Sequence, residues 1–415
     1  MNIKVCLIHP ADLLGNKIGG AETFLQDFIK FSPPDFEISM IGITSIGSRY
    51  KINSWNEECW FGKRFKFLPK FCVIDENRKS TVPLALKFTL SLFNYPRKDL
   101  KDNILVFNRI ESALVFKSYK QVKIAIIHDD LEKMITDEHS ESIWTHFPYL
   151  FKVFESFVIP SFEHIFTTSR KTTKLLKQLR NNDNEKISYF SIWVDSSIFC
   201  ATSESKHTVR KRILSNAEHR ILNDKWILFV GRLQKVKAPE LLIDSILSLK
   251  KYDYDNLSLI VIGNGDLEEL LKKTVIRYGL KDCVYFFNMM QKKLLADFYR
   301  AADVLLITSY FETGPLTALE SLCCGTPVVS TDVGEVKNFV KSKFSGEVVH
   351  SFNPVEIAEQ IKNVLENPHI YSRENCECSA RAFNPNKILT PIYQYIENIN
   401  KSKRAENSRK MLVSK

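Results

Sequence analysis

Two glutamates with seven residues between them bracket a Gly-Pro pair in the run Phe311-Glu312-Thr313-Gly314-Pro315-Leu316-Thr317-Ala318-Leu319-Glu320. A Gly-Pro turn opening a helix puts Glu312 in a loop and Glu320 inside the helix. Unpaired N–H groups at that helix start can hold a phosphate or a polyol. A carboxylate accepts from two adjacent hydroxyls, which suits a ribose diol on one side and a sugar ring on the other. The plainer alternative is an acid that only answers the helix dipole. Upstream, the apolar run Trp226-Ile227-Leu228-Phe229-Val230 leads into Gly231-Arg232-Leu233-Gln234-Lys235-Val236-Lys237-Ala238-Pro239. Arginine supplies a planar fork of donors and lysine a mobile point charge, a pairing suited to a diphosphate. Gly263-Asn264-Gly265 follows another apolar run and lacks the third glycine of a dinucleotide fingerprint. Gly19-Gly20, before an amphipathic stretch through Phe24, Leu25, Phe28 and Ile29, lets backbone approach a phosphate or simply makes a tight turn.

Positioning such groups takes strands that end where ligands gather. The runs at 4–8, 123–127, 226–230 and 257–262 are apolar and alternate with helix-length periodic segments, which predicts an α/β chain of parallel sheets. At 415 residues and 44% hydrophobic the chain exceeds one ordinary core and is expected to form two domains. These run over 1–200 and 225–383, joined by a polar connection at 201–224. A terminal helix at 384–400 is expected to pack back on the first domain, and 401–415 reads as a basic mobile tail.

The net charge of +10 gathers in the tail and in 63–101, where Lys63, Arg64, Lys66, Lys70, Arg78, Lys79, Lys87, Arg97, Lys98 and Lys101 interleave with Phe, Leu and Tyr. Such a segment suits a solvated basic face or an anionic membrane surface, where each cation contributes about 1 kcal/mol. No nucleic-acid motif accompanies it, and a nucleic-acid partner is not expected. No apolar run is long enough for a membrane span and the first residues lack a secretory pattern, so a cytoplasmic chain, peripheral at the membrane face, is expected. Nine scattered cysteines fit reduced thiols, and neither Cys376-x-Cys378 nor Cys323-Cys324 has partner ligands at zinc spacing. Asp253-Tyr254-Asp255 spells a metal-binding carboxylate pair but sits in a polar connection and reads as a solvated turn.

In order and spacing these motifs resemble the GT-B retaining glycosyltransferases of group 4, also called glycosyl transferases group 1. The resemblance runs from Trp226 to Thr331, with Glu-x7-Glu as its most specific element. It reaches the first half through Gly19-Gly20, His128-Asp129 and Trp193-Val194-Asp195 with Phe199. It implies two Rossmann-like domains whose parallel sheets face a central cleft, acceptor in the first and nucleotide-sugar donor in the second. Glu312, His128, Arg232 and Lys237 would then be the catalytic set. The resemblance implies that Arg232 and Lys237 bind the donor diphosphate, with Lys235 competing for the lysine role, and that Glu312 meets the sugar hydroxyls. Donor binding would draw also on Gly263, on the backbone of Gly314, Pro315, Leu316 and Thr317, on Glu320 at the ribose, and on Gly19 and Gly20 near the phosphates. The implied activity is transfer, with retention, from a UDP- or GDP-sugar to a glycan or lipid-linked acceptor in surface polysaccharide or glycolipid assembly, with no cofactor and no metal. A nucleotide-sugar epimerase of the same architecture and a non-catalytic partner subunit remain alternatives. Ala238 stands where the family commonly has glycine, and Glu335 where a Gly-Gly pair would continue after Asp332-Val333.

Overall fold

The computed structural model describes residues 2–13, 15, 20–74, 82–93, 95–128, 131, 148–179, 184–215, 225–252, 254 and 256–413. They fall into two compact units, Met1–Ser191 with Pro385–Lys415, and Ile192–Asn384.

The first unit is built on β1 (Ile3–Ile8), β2 (Phe36–Ser45), β3 (Asn56–Trp60), β4 (Lys63–Val73), β5 (Ile104–Phe107), β6 (Lys123–Ile127), β7 (His164–Thr167) and β8 (Ile187–Tyr189). Its sheet runs β3-β4-β2-β1-β5-β6-β7-β8, parallel throughout except for the antiparallel β3. Helices α1 (Gly20–Lys30), α2 (Leu84–Ser91), α3 (Pro148–Val158) and α4 (Arg170–Leu179) connect these strands. The step from β1 to β2 moves one way across the sheet, whereas those from β4 to β5, β6 to β7 and β7 to β8 move the other way. Right-handed crossovers therefore put α1 on one face and α2, α3 and α4 on the opposite face. Under that second layer, Cys6 and Ile8 of β1 share a core with Phe88 and Leu92 near α2 and Phe151 and Val158 of α3.

Glu155 of α3 is 6% exposed, and its Oε1 has no hydrogen-bond partner among the described residues. Burial pushes its carboxyl up to about 7, with Lys152 opposing. A raised carboxyl favours the fold at low pH, and that contribution is lost as pH climbs from the ordinary value through about 7. Glu155→Gln should therefore stabilise the chain by on the order of 2–3 kcal/mol at about pH 8 and by almost nothing at about pH 4. Urea unfolding at the two pH values measures it; an equal difference at both would mean that the carboxyl is solvated.

The second unit contains α5 (Lys206–Ser215), β9 (Lys225–Val230), α6 (Pro239–Lys250), β10 (Leu257–Ile262), α7 (Glu268–Arg277), β11 (Val284–Phe287), α8 (Lys292–Ala301), β12 (Val304–Ile307), α9 (Leu316–Cys323), β13 (Val328–Thr331), β14 (Gly346–Val349), α10 (Pro354–Glu366) and α11 (Arg373–Ala380). Its six parallel strands run β11-β10-β9-β12-β13-β14. Side chains alternate across β9: Trp226, Leu228 and Val230 enter one core, Ile227 and Phe229 the other. A strand buried on both faces has no polar face, which is why β9 and β10 read as continuous apolar runs.

Three expected boundaries differ in the structure. Residues 206–215 are not a connection but helix α5, with Val209 and Ile213 buried and Lys206 and Arg210 paired with Asp303 at 3.0 and 2.7 Å. Arg210 also stacks 4.8 Å from the Trp226 ring, Asp303 accepts from the Trp226 N–H, and Arg212 pairs with Asp297 at 3.1 Å, so a polar helix is fixed by an aromatic ring and by carboxylates. Val194 and Phe199 belong to the second unit's core rather than to the end of the first. The third difference is the basic terminus: residues 401–413 continue helix α12 (Pro385–Val413) instead of forming a mobile tail. Earlier in α12, Tyr393 donates to the Phe28 carbonyl at 2.8 Å and Tyr395 packs on His164, holding the helix on the first unit.

All nine cysteines are free thiols, and Cys324 and Cys376 are buried. Among the described residues no helix is long and apolar enough to cross a membrane. The basic stretch 63–101 is not one surface. Phe65, Phe67 and Phe88 are core residues, Lys63 donates to the Ser32 carbonyl, Lys70 lies over the Tyr95 ring, and Arg78 and Lys79 fall outside the described residues.

Candidate functional site

The strand order of the second unit reverses between β9 and β12, both of which start connections outward to opposite edges of the sheet. At such a switch point loops diverge beyond the carboxyl ends of the strands and leave a crevice for a ligand. Gly231 and Arg232 follow β9, and Thr308 to Glu312 follow β12. Both groups of predicted residues thus arise at one place in the sheet.

Backbone contacts fix the loop after β9. The Gly231 N–H bonds to the Ile262 carbonyl, and the Leu233 N–H to that of Asn264. Gly263 has φ +153°, and a Cβ there would lie 1.9 Å from the Gly231 oxygen. This packing accounts for the glycine without any ligand. Lys235–Lys237 form a single 3₁₀ turn ended by Ala238 in the left-handed region, φ 45° and ψ 57°. The glycine common in the family would take that conformation freely, whereas alanine holds it at about 1–2 kcal/mol of strain. Thr308 secures the turn by donating to the Lys237 carbonyl at 3.0 Å.

From this turn the Lys237 ammonium reaches the Glu312 carboxylate, which also accepts from the Ser309 hydroxyl at 3.0 Å. Lys235 is exposed. The Arg232 guanidinium is exposed too, and it has no ion pair among the described residues. The loop after β13 closes on the same segment: the Glu335 N–H bonds to the Thr313 carbonyl, and a Cβ on Gly334 (φ +51°) would lie 2.2 Å from that oxygen.

Pro315 precedes α9 without a side-chain cap, so the helix's first N–H groups gain no side-chain partner there. Glu320 lies one turn into α9 and accepts from the Tyr299 hydroxyl at 2.8 Å. Burial raises the Glu320 carboxyl above its ordinary value, with the Tyr299 bond and the Lys292 charge opposing. Glu312 and Glu320 are therefore held by different partners.

In the first unit a second polar group gathers at the reversal between β1 and β5. His128 follows β6; its Nε2 lies 3.3 Å from the Asn108 carboxamide oxygen, which accepts in the Nε2-protonated tautomer. Phe24 of α1 packs edge-on at 4.9 Å between centroids. Burial holds the His128 imidazole down to about 3, helped by His9 and Arg109 and opposed by Glu22. It is neutral at any ordinary pH. His9 and Glu22, 3.9 Å apart and buried, complete the group.

A family model described as glycosyl transferases group 1 matches residues 211–383, the stretch holding Arg232, Lys237, Glu312 and Glu320. Over these residues the chain is similar to that family. A D-inositol 3-phosphate glycosyltransferase of Geodermatophilus obscurus is 34% identical over 173 residues, covering 40% of this chain and 38% of that protein. An uncharacterized glycosyltransferase of Methanocaldococcus jannaschii is 34% identical over 143 residues, 34% of this chain and 36% of its own length. The chain thus spans under two fifths of these curated relatives. Among solved structures, sucrose-phosphate synthase of Thermosynechococcus elongatus aligns with TM-score 0.75 at 17% identity, over 98% of this chain and 100% of the other. Anabaena HepE in complex with UDP-glucose aligns with TM-score 0.67 at 16% identity, over 97% and 100%. At such identities the likeness shows the fold, which is GT-B.

Within residues 211–383 the structure brings Arg232, Lys237 and Glu312 to one switch point and sets Gly314 to Thr317 at the start of α9. Gly20 and His128 belong to the other unit; Gly20 starts α1 and is exposed. Gly19, Asp129, Asp253 and Asp255 lie outside the described residues. Ser309, Tyr299 and Gly334 escaped the sequence reading, as did His9 and Asn108. A serine three residues before Glu312 gives no distinctive signal, and a tyrosine 21 residues before Glu320 gives none.

Proposed function

We propose that the protein is a retaining glycosyltransferase that moves a sugar from a UDP- or GDP-sugar to a glycan or lipid-linked acceptor. The observation that carries this reading is an exposed Arg232, without an ion pair among the described residues, at the same switch point as the Lys237–Glu312 pair, in the stretch that matches the group 1 model. Breaking the anomeric bond puts negative charge on the departing diphosphate and positive character on the sugar. Arg232 and Lys237 act on the first of these, where fixed cations stabilise the transition state more than the bound donor. Glu312, already tied to Lys237, accepts from sugar hydroxyls through its remaining lone pairs. Glu320 receives the ribose diol while Tyr299 orients its carboxylate. Neutral His128 can exchange a hydrogen bond with a hydroxyl but carries no charge into the reaction. In a front-face reaction the departing phosphate oxygen takes the acceptor's proton, so no side-chain base is required. That UDP-glucose is bound by HepE supports this donor class here, and a cytoplasmic location goes with it.

Thermal denaturation with UDP, GDP and NAD, followed by titration of the nucleotide that stabilises, tests the reading. Glu320→Gln should weaken that nucleotide about tenfold to a hundredfold, since hydrogen bonds to a charged group are worth about 1.5–3 kcal/mol. Incubation with donor alone should yield no new nucleotide sugar; an epimerised product would sink the transferase reading, and stabilisation by NAD alone would sink the donor site.

A further inference from the structure

On the face of the first unit that carries α2 and α3, both helices pack against one 3₁₀ turn, Ile110–Leu114. Their inner residues share a core, but their outer residues are not polar. Leu86, Leu90 and Phe93, in and just after α2, are 49%, 58% and 57% exposed at helical spacing. On α3, Tyr149, Val153 and Phe157 recur every fourth residue and are 76%, 49% and 52% exposed. Leu114 of the turn is exposed with them. An apolar stripe on each of two helices flanking one turn is more than the scatter of single hydrophobic residues normal on a surface.

Among the described residues, the exposed charges on α2, on α3 and just after the turn are positive. Lys87, Lys117 and Lys152 are exposed, and the Lys117 ammonium sits 2.9 Å above the Phe157 ring. Helix α2 has no carboxylate, that of Glu155 on α3 is buried, and Glu111 of the turn is mostly covered and paired with Arg109 at 3.7 Å. On the same side of the sheet α4 adds Arg170, Lys171 and Lys174 with no acid in the helix. Apolar rings and leucines among lysines whose stems can lie along them match an interface with acyl chains below and anionic headgroups above.

We propose that the α2–α3 face docks on an anionic lipid surface, with Leu90, Phe93, Val153 and Phe157 entering the headgroup boundary and Lys87, Lys117 and Lys152 meeting lipid phosphates. It is independent of the donor chemistry.

Sedimentation of the full chain with phosphatidylcholine vesicles, with and without phosphatidylglycerol, tests it. The chain should pellet with the anionic vesicles and be released as salt rises. A Leu90→Glu, Phe157→Glu variant should partition at least about tenfold less, and a Lys117→Gln, Lys152→Gln variant about tenfold less, with unfolding midpoints close to the parent's. The lysine pair is exposed, so its replacement tests the face even where the apolar variant misfolds. Equal binding by parent and both variants would overturn the proposal, as would equal binding to neutral vesicles. A parent that ignores vesicles but self-associates, and turns monomeric in the apolar variant, would make the face a contact between copies instead.

Discussion

Arg232→Ala should lower kcat/KM for sugar transfer about a hundredfold to a thousandfold, with stability unchanged to within about 0.5 kcal/mol. The size follows from removing one preorganised charge facing a departing diphosphate, worth about 3–4 kcal/mol of barrier in comparable sites. The absence of a stability effect follows from the exposed guanidinium, which has no ion pair among the described residues. Lys237→Ala should lose activity similarly but also stability, by about 1 kcal/mol, because it leaves the partly buried Glu312 carboxylate with Ser309. Lys235→Ala is the control, since its exposed side chain makes no such pair among the described residues. Steady-state rates with the donor found by nucleotide screening decide the matter. An Arg232→Ala enzyme of parental kcat/KM would remove that residue from the diphosphate, and losses as large for Lys235 as for Lys237 would make the effect one of general surface charge.

What could be read beforehand was whatever a single stretch of chain carries. β9 and β10 are apolar at every position that the two cores need, and Gly231-Arg232 and Pro315 mark where those cores end. Glu312 in a loop and Glu320 in α9 follow from one Gly-Pro turn. The first unit hid its polar group because His9, Asn108 and His128 end three different strands, and only the order β1-β5-β6 makes those ends neighbours. Helix α5 read mainly as a connection because only two buried residues, Val209 and Ile213, carry its apolar face; the rest of its hold includes Lys206 and Arg210 on Asp303, Arg210 on the Trp226 ring and Arg212 on Asp297, contacts distant in sequence that no local pattern announces. The departure at Ala238 was visible as a letter, but its meaning, a left-handed residue beside Lys237, needed the backbone.

Gly263→Ala should destabilise the second unit by more than about 3 kcal/mol and abolish nucleotide binding under native conditions, although the substitution adds one methyl group. Two effects combine. The backbone at φ +153° is one that a side chain rarely adopts, and the new Cβ would stand 1.9 Å from the Gly231 oxygen, well inside contact distance. Neither neighbour can yield cheaply, since that oxygen is backbone and the adjacent Gly231 N–H is bonded to Ile262. Any shift that relieves the clash moves Arg232 with it. Gly279→Ala separates the two effects. Gly279 also has positive φ, +66°, but a Cβ there meets nothing within 4 Å, so it should lose only about 1 kcal/mol of backbone preference. Urea unfolding of the two variants, with nucleotide titration of each, gives the comparison. If Gly263→Ala were no worse than Gly279→Ala, the loops after β9 and β10 would not be in backbone contact, and the rigidity ascribed to the Arg232 loop would have to come from elsewhere.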